Sequence, residues 1–147
     1  MQHRTIEEEL ALTGRALSWT VGVSMEPLLH HRRSTVVIET PHGPLKRGDV
    51  ALYRNARNDY VLHRVIGTAA EGYVIRGDNC YWKETVPPDK IVGVMAGYYA
   101  DERDEYTPCG SPADLAYRRT IPYRYARLWL RAFPRRAKGR LRRALGI

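Results

Sequence analysis

Cysteine is scarce: Cys80 and Cys109 are the only two, too few for a disulfide framework, and both read as free thiols. No apolar run reaches the roughly 20 residues a membrane-crossing helix needs; the best, residues 91–100, is about half that length. Thr5-Ile6-Glu7-Glu8-Glu9 is acidic where a secretory targeting segment is basic, and no apolar stretch with a small-residue cleavage site follows. These absences predict a protein without signal peptide or span, located in the cytoplasm, with peripheral contact at the inner membrane face as an option. Glycine-rich phosphate loops are missing. His30, His31 and His42 lie in loop-like sequence, with no cysteine or carboxylate at ligand spacing, so neither metal nor cofactor is expected. No internal repeat or low-complexity segment is present.

Acidic residues are also missing from the C-terminal end. After Asp114 there are none, while eleven arginines and lysines lie between Arg118 and Arg143. The net charge of +8 is therefore lopsided: 24 basic against 16 acidic residues overall, but about −3 once the tail is set aside. Ala137, Leu141, Ala144 and Leu145 make an apolar stripe within this basic stretch, and Pro134 suits the first turn of a new helix. A basic amphipathic segment over residues 117–147 fits peripheral contact with an anionic membrane or a peptide partner; a solvated tail is the plain alternative. No nucleic-acid motif accompanies the charge, so no nucleic acid is expected as a partner.

At 147 residues the chain suits one compact domain. Thr5 and Glu8 make a capping box, and Ile6, Leu10, Thr13 and Leu17 share one helical face, which predicts a helix over residues 5–18. Residues 19–23 look extended. Stretches 35–39, 49–53, 60–66, 72–76 and 91–99 are rich in Val, Ile and Tyr and separated by Gly, Pro, Asn and Asp, which predicts five strands. The expected fold is mainly β, a compact, coiled antiparallel sheet with an N-terminal helix and a basic helical tail. Its expected divisions are a helix over 1–18, a catalytic region over 19–100, a linker over 101–112 and the tail over 113–147.

Three short motifs supply a nucleophile, a base and an acid in one order: Gly22-Val23-Ser24-Met25-Glu26-Pro27, Leu62-His63-Arg64-Val65 and Arg76-Gly77-Asp78-Asn79. A serine hydroxyl is a poor nucleophile unless a neighbour takes its proton as it attacks. Imidazole, with an ordinary pKa of about 6.5, can take that proton and return it to the leaving amine. A carboxylate on the far ring nitrogen fixes the tautomer and stabilises the imidazolium. Ser24 alone is more often a turn residue, and Asp49 in Arg47-Gly48-Asp49 suits a turn. Met25 reads as packing beside the serine. The Ser24 N–H is one candidate oxyanion donor, and the second is not legible.

Ser24-Met25-Glu26-Pro27 resembles the Ser-Met-x-Pro box of the serine peptidases that include signal peptidase I and the self-cleaving LexA-like repressors. Residues 45–53 resemble the family's Gly-Asp-hydrophobic strand, His63-Arg64-Val65 its base box, and Ile75-Arg76-Gly77-Asp78-Asn79 the Lys-Gly-Asp-Asn segment of endoplasmic-reticulum and archaeal signal peptidases. The match covers about residues 20–100. Histidine, not lysine, at the base position implies the Ser-His branch, here as a soluble member without the membrane anchor. The resemblance implies a LexA/signal-peptidase-type fold and a serine endopeptidase that cleaves a precursor or leader peptide through Ser24, His63 and Asp78. The family's second acid lies a few residues further on, where this chain has Glu84, so Glu84 is the alternative acid. Two rivals stand beside this reading: self-cleavage, with Cys109-Gly110 as the bond, and an inactive membrane-surface or peptide-binding module.

Overall fold

The computed structural model describes residues 4–146. Thr5 caps helix α1 (Ile6–Thr13), its hydroxyl accepting from the Glu8 N–H while the Glu8 carboxylate accepts from the Thr5 N–H, the reciprocal capping box. The helix ends sooner than the apolar spacing suggests. Gly14 takes a left-handed C-cap conformation (φ 74°), its N–H bonding Leu10 O, and the chain turns directly into strand β1 (Arg15–Trp19). Leu17, counted by its spacing as helical, is an exposed strand residue instead.

Strands β2 (Thr35–Glu39), β3 (Val50–Arg54), β4 (Tyr60–Ala69), β5 (Gly72–Arg76), β6 (Glu84–Val86), β7 (Ile91–Tyr99) and β8 (Tyr106–Pro108) complete an eight-stranded antiparallel sheet in the order β1-β2-β7-β3-β4-β5-β6, with β8 on β7. The sheet thus reaches beyond residues 19–100: β1 comes from the stretch expected to be helix, and β8 from the expected linker. Helix α2 (Pro112–Arg118) follows a Ser111 cap, and helix α3 (Ile121–Leu145) runs through Pro134 without a break, so Pro134 starts no new helix. A proline there leaves the Leu130 carbonyl without its intrahelical donor. Leu130 is exposed, so water can satisfy it.

The central strand β3 is buried on both faces, and period-two alternation divides its side chains between two cores. Val50 and Leu52 join Leu10, Met25, Leu28, Leu29, Ile38 and Met95 on one side. Ala51 and Tyr53 join Leu45, Val65, Ile75 and Val86 on the other. Glu7 fastens α1 over the first core through Arg54 (2.9 Å) and the Tyr60 hydroxyl. Both cysteines are free thiols.

Candidate active site

The β3–β4 hairpin fixes the site's register. Asn55 organises its turn, accepting at Oδ1 from the N–H groups of Arg57 and Asp59 (both 2.9 Å), and the pairing that follows sets Ala51 opposite His63 and Tyr53 opposite Val61. His63 and Tyr53 are therefore diagonal neighbours on one face. Val65 pairs with Ile75, and Ile75 with Glu84, which brings Glu84 onto that same face from the edge strand β6. Arg64 points to the opposite face.

This alternation separates the two candidate acids. Tyr53 Oη lies 3.2 Å from His63 Nδ1 and donates to Glu84 Oε1, and Glu84 Oε1 itself lies 3.7 Å from Nδ1. Asp78 turns to the other partner: Arg64 Nε and Nη2 donate to its two oxygens at 2.8 Å each, and the Tyr117 hydroxyl donates to Oδ2 at 3.0 Å. Both side chains of this ion pair are nearly sealed from water, 4% and 2% exposed. The Asp78 carboxylate makes no hydrogen bond to His63; of the two acids, Glu84 is the one that lies beside His63 Nδ1, together with Tyr53.

Burial pushes the His63 pKa below its ordinary 6.5, with Glu84 and Asp78 pulling it back only in part. The imidazole is neutral at neutral pH. Burial, with the Glu84 hydrogen bond, drives Tyr53 far up, so it stays a protonated donor. A Tyr53 hydroxyl that donates to Glu84 can accept only from His63 Nδ1–H. That tautomer leaves the Nε2 lone pair free.

Nε2 and the Ser24 backbone both approach Gly77. A Cβ built on Gly77 would lie 3.1 Å from His63 Nε2, 2.6 Å from the Ser24 carbonyl oxygen and 2.8 Å from Cys80 Sγ. Only glycine fits between loop and base. Asn79 completes the strap, its N–H donating to Ser24 O (2.8 Å) and its Nδ2 to Val23 O (3.0 Å). The Gly77-Asp78-Asn79 segment thus holds the serine loop against His63, with the buried Arg64–Asp78 pair as its anchor. No hydrogen bond links the Ser24 hydroxyl to the imidazole.

Ser24 is half-buried in the loop between β1 and β2. Met25, Leu28 and Leu29 sink into the first core, Met25 packing as its sequence position suggests. Gly22 takes φ 91° and donates its N–H to His31 Nδ1 (2.7 Å), while His30 Nδ1 meets Asp101 Oδ1 at 2.6 Å, so these histidines tie loops together. The Ser24 N–H takes no part in the loop's backbone hydrogen bonds and stays available to an oxyanion. Asp49 accepts from the Lys46 N–H (2.7 Å), a turn role. Burial pushes the Cys80 thiol up to about 11, so it stays protonated at neutral pH.

Beside Ser24 opens a largely apolar cleft of about 340 Å³, lined by Trp19, Thr20, Val21, Gly22 and Met25 from one side and Tyr60, Val61 and Leu62 from the other. Both rims are free sheet edges: β1 pairs only with β2, and residues 60–63 of β4 pair only with β3, because β5 begins its pairing at Arg64. A wider depression lined by Arg4, Glu9, Arg15, Glu39 and His42 includes none of the catalytic candidates. Among the described residues no cluster of His, Cys, Asp or Glu could hold a metal, and no helix is long and apolar enough to cross a membrane.

Tyr53, Arg64 and Tyr117 were not singled out from sequence. Tyr53 had a usable signal, since the five-residue turn at 55–59 sets the register that aligns it with His63; Tyr117 depends on a contact across 39 residues and had none. No family model matches the chain, and no curated protein matches it.

Proposed function

We propose that this protein is a serine endopeptidase of the type its four sequence boxes resemble, the signal peptidase and LexA-like group, acting on an extended precursor or leader peptide. The observation that carries the reading is the convergence at Gly77 of the Ser24 loop and His63 Nε2, with an apolar cleft open beside the serine. A peptide strand lying between the free edges of β1 and β4 would gain main-chain hydrogen bonds and place an apolar side chain in the cleft.

In the proposed reaction Ser24 Oγ attacks the scissile carbonyl as His63 Nε2 takes its proton. The Ser24 N–H faces the developing oxyanion, and the imidazolium is stabilised through Tyr53 and Glu84. The tetrahedral intermediate collapses, the leaving amine takes the proton from Nε2, and an acyl-serine remains. Water, deprotonated by the same nitrogen, then releases the acid and restores the serine. Self-cleavage at Cys109-Gly110 is less well supported, because the Cys109 N–H is bonded to Ala96 O (2.8 Å) and the Gly110 N–H to Asp114 Oδ2 (2.7 Å).

Incubation with a randomised peptide library, read by mass spectrometry, tests the proposal. Internal cleavage that favours a small or apolar residue before the cut and disappears in Ser24→Ala and His63→Ala supports it. Cleavage that persists in both variants contradicts it, as does a parent protein that leaves the library intact.

A further inference from the structure

Helix α3 carries two apolar stripes on opposite faces, and only one is used. Ile121, Tyr125, Leu128 and Ala132, spaced by three or four, are half-buried, and this face sits on the catalytic body: the Arg76 guanidinium lies 3.7 Å from the Tyr125 ring centroid and Arg136 5.4 Å from that of Tyr81. Turned half a revolution away lie Tyr123, Leu130 and Leu141 at 72%, 65% and 61% exposure, with Phe133 beside them at 54%. Arg127, Arg131 and Lys138 flank this outer stripe on one border and Arg140 on the other. The helix contains no acidic residue.

We infer that the outer face of α3 is a docking surface for an anionic lipid bilayer, on which the helix lies flat along its length of about 37 Å. The order of chemistry around the helix decides the occupant. Exposed leucines and phenylalanine along the centre, bordered by long basic side chains, suit acyl chains below and headgroups alongside. A nucleic-acid backbone offers nothing to that apolar centre, and a second copy of the chain would set like charges against each other. Tyr117 at the end of α2 and Arg136 in α3 touch Asp78 and Tyr81, so docking would hold the Ser24 site beside the lipid surface. The inference does not need the protein to be a peptidase.

Co-sedimentation of the full chain with vesicles tests it, comparing phosphatidylcholine alone with equal parts phosphatidylcholine and phosphatidylglycerol. The parent and Ser24→Ala should bind the anionic vesicles alike and the neutral ones weakly. Each basic residue near the surface contributes about fivefold, so Arg127→Gln, Arg131→Gln, Lys138→Gln together should weaken binding by roughly a hundredfold. Leu130→Gln, Phe133→Gln, Leu141→Gln together should weaken it at least about tenfold, with thermal unfolding unchanged because these side chains are exposed. Equal binding to both vesicles overturns the inference, as does no binding or anionic binding that survives loss of the apolar residues. Binding to duplex RNA without vesicle binding would give the face to nucleic acid, and dimerisation abolished by the apolar triple variant without vesicle binding would give it to a second copy; either result overturns it.

Discussion

Replacing Asp78 by asparagine asks whether this residue is an anchor or a catalytic acid. The substitution keeps the shape and removes the charge that two Arg64 nitrogens hold at 2.8 Å in a pocket where both side chains are at most 4% exposed. Burial works against the Arg64 charge and the Asp78 carboxylate more than offsets that; a guanidinium does not give up its proton inside a protein, so in the variant it stays ionised and loses its counter-charge. Breaking a buried pair from one side costs about 3–5 kcal/mol. For a chain of this size that corresponds to a fall in Tm of roughly 6–20 °C. Arg64→Gln combined with Asp78→Asn should cost less than the two single changes added, since no lone charge is left inside. Denaturant unfolding at neutral pH measures the loss, and peptide cleavage by the folded fraction should stay within about tenfold of the parent. A variant as stable as the parent but slower by about 10⁴, the loss expected when an orienting acid is neutralised, would refute the anchor assignment.

Glu84→Gln should leave stability nearly unchanged and lower kcat; because the Glu84 charge raises the His63 pKa, its removal should also shift the acidic limb of the rate profile to lower pH, read from kcat/KM against pH. Tyr53→Phe, which breaks the bridge between imidazole and carboxylate, should lower kcat more than it changes KM. Gly77→Ala puts a methyl group within 3.1 Å of three atoms of loop, thiol and base, and should cost about 1–3 kcal/mol by denaturant unfolding while separating Ser24 from His63 and lowering kcat. His63 binds a proton less readily folded than unfolded, so its effect on stability is complete above about pH 6.5 and turns unfavourable as pH falls from there toward the lower folded pKa. His63→Gln should flatten the pH dependence of unfolding in that window, and an unchanged slope would contradict the buried neutral imidazole.

Strands β2, β5 and β7 occupy the residues the sequence suggests, because runs of Val, Ile and Tyr stop at clear turn residues. The Thr5 cap was equally legible. The end of α1 was not: Leu17 fits both a helical face and an alternating strand, and the deciding residue is Gly14, whose left-handed cap outweighs one apolar match. Strands β6 and β8 are three residues long and exist by pairing with an edge, a non-local fact. The same limit hid the true neighbour of His63. The motifs favour Asp78 and leave Glu84 as the alternative, and only the strand register turns His63 toward Glu84 and Arg64 toward Asp78. Charge made the basic tail visible, but the outer apolar face emerges only once α3 is seen to seat its other side on the body.

Catalysis in the proposed peptidase requires that Ser24 act as the nucleophile and pass its proton to His63. Reaction with a fluorophosphonate probe, followed by peptide mapping, tests that step without knowledge of the substrate. A single adduct on Ser24 is predicted, lost in Ser24→Ala and strongly slowed in His63→Ala, with a labelling rate that rises with pH and levels off near neutrality. An unlabelled parent, an adduct on another residue, or undiminished labelling of Ser24 in His63→Ala would contradict it.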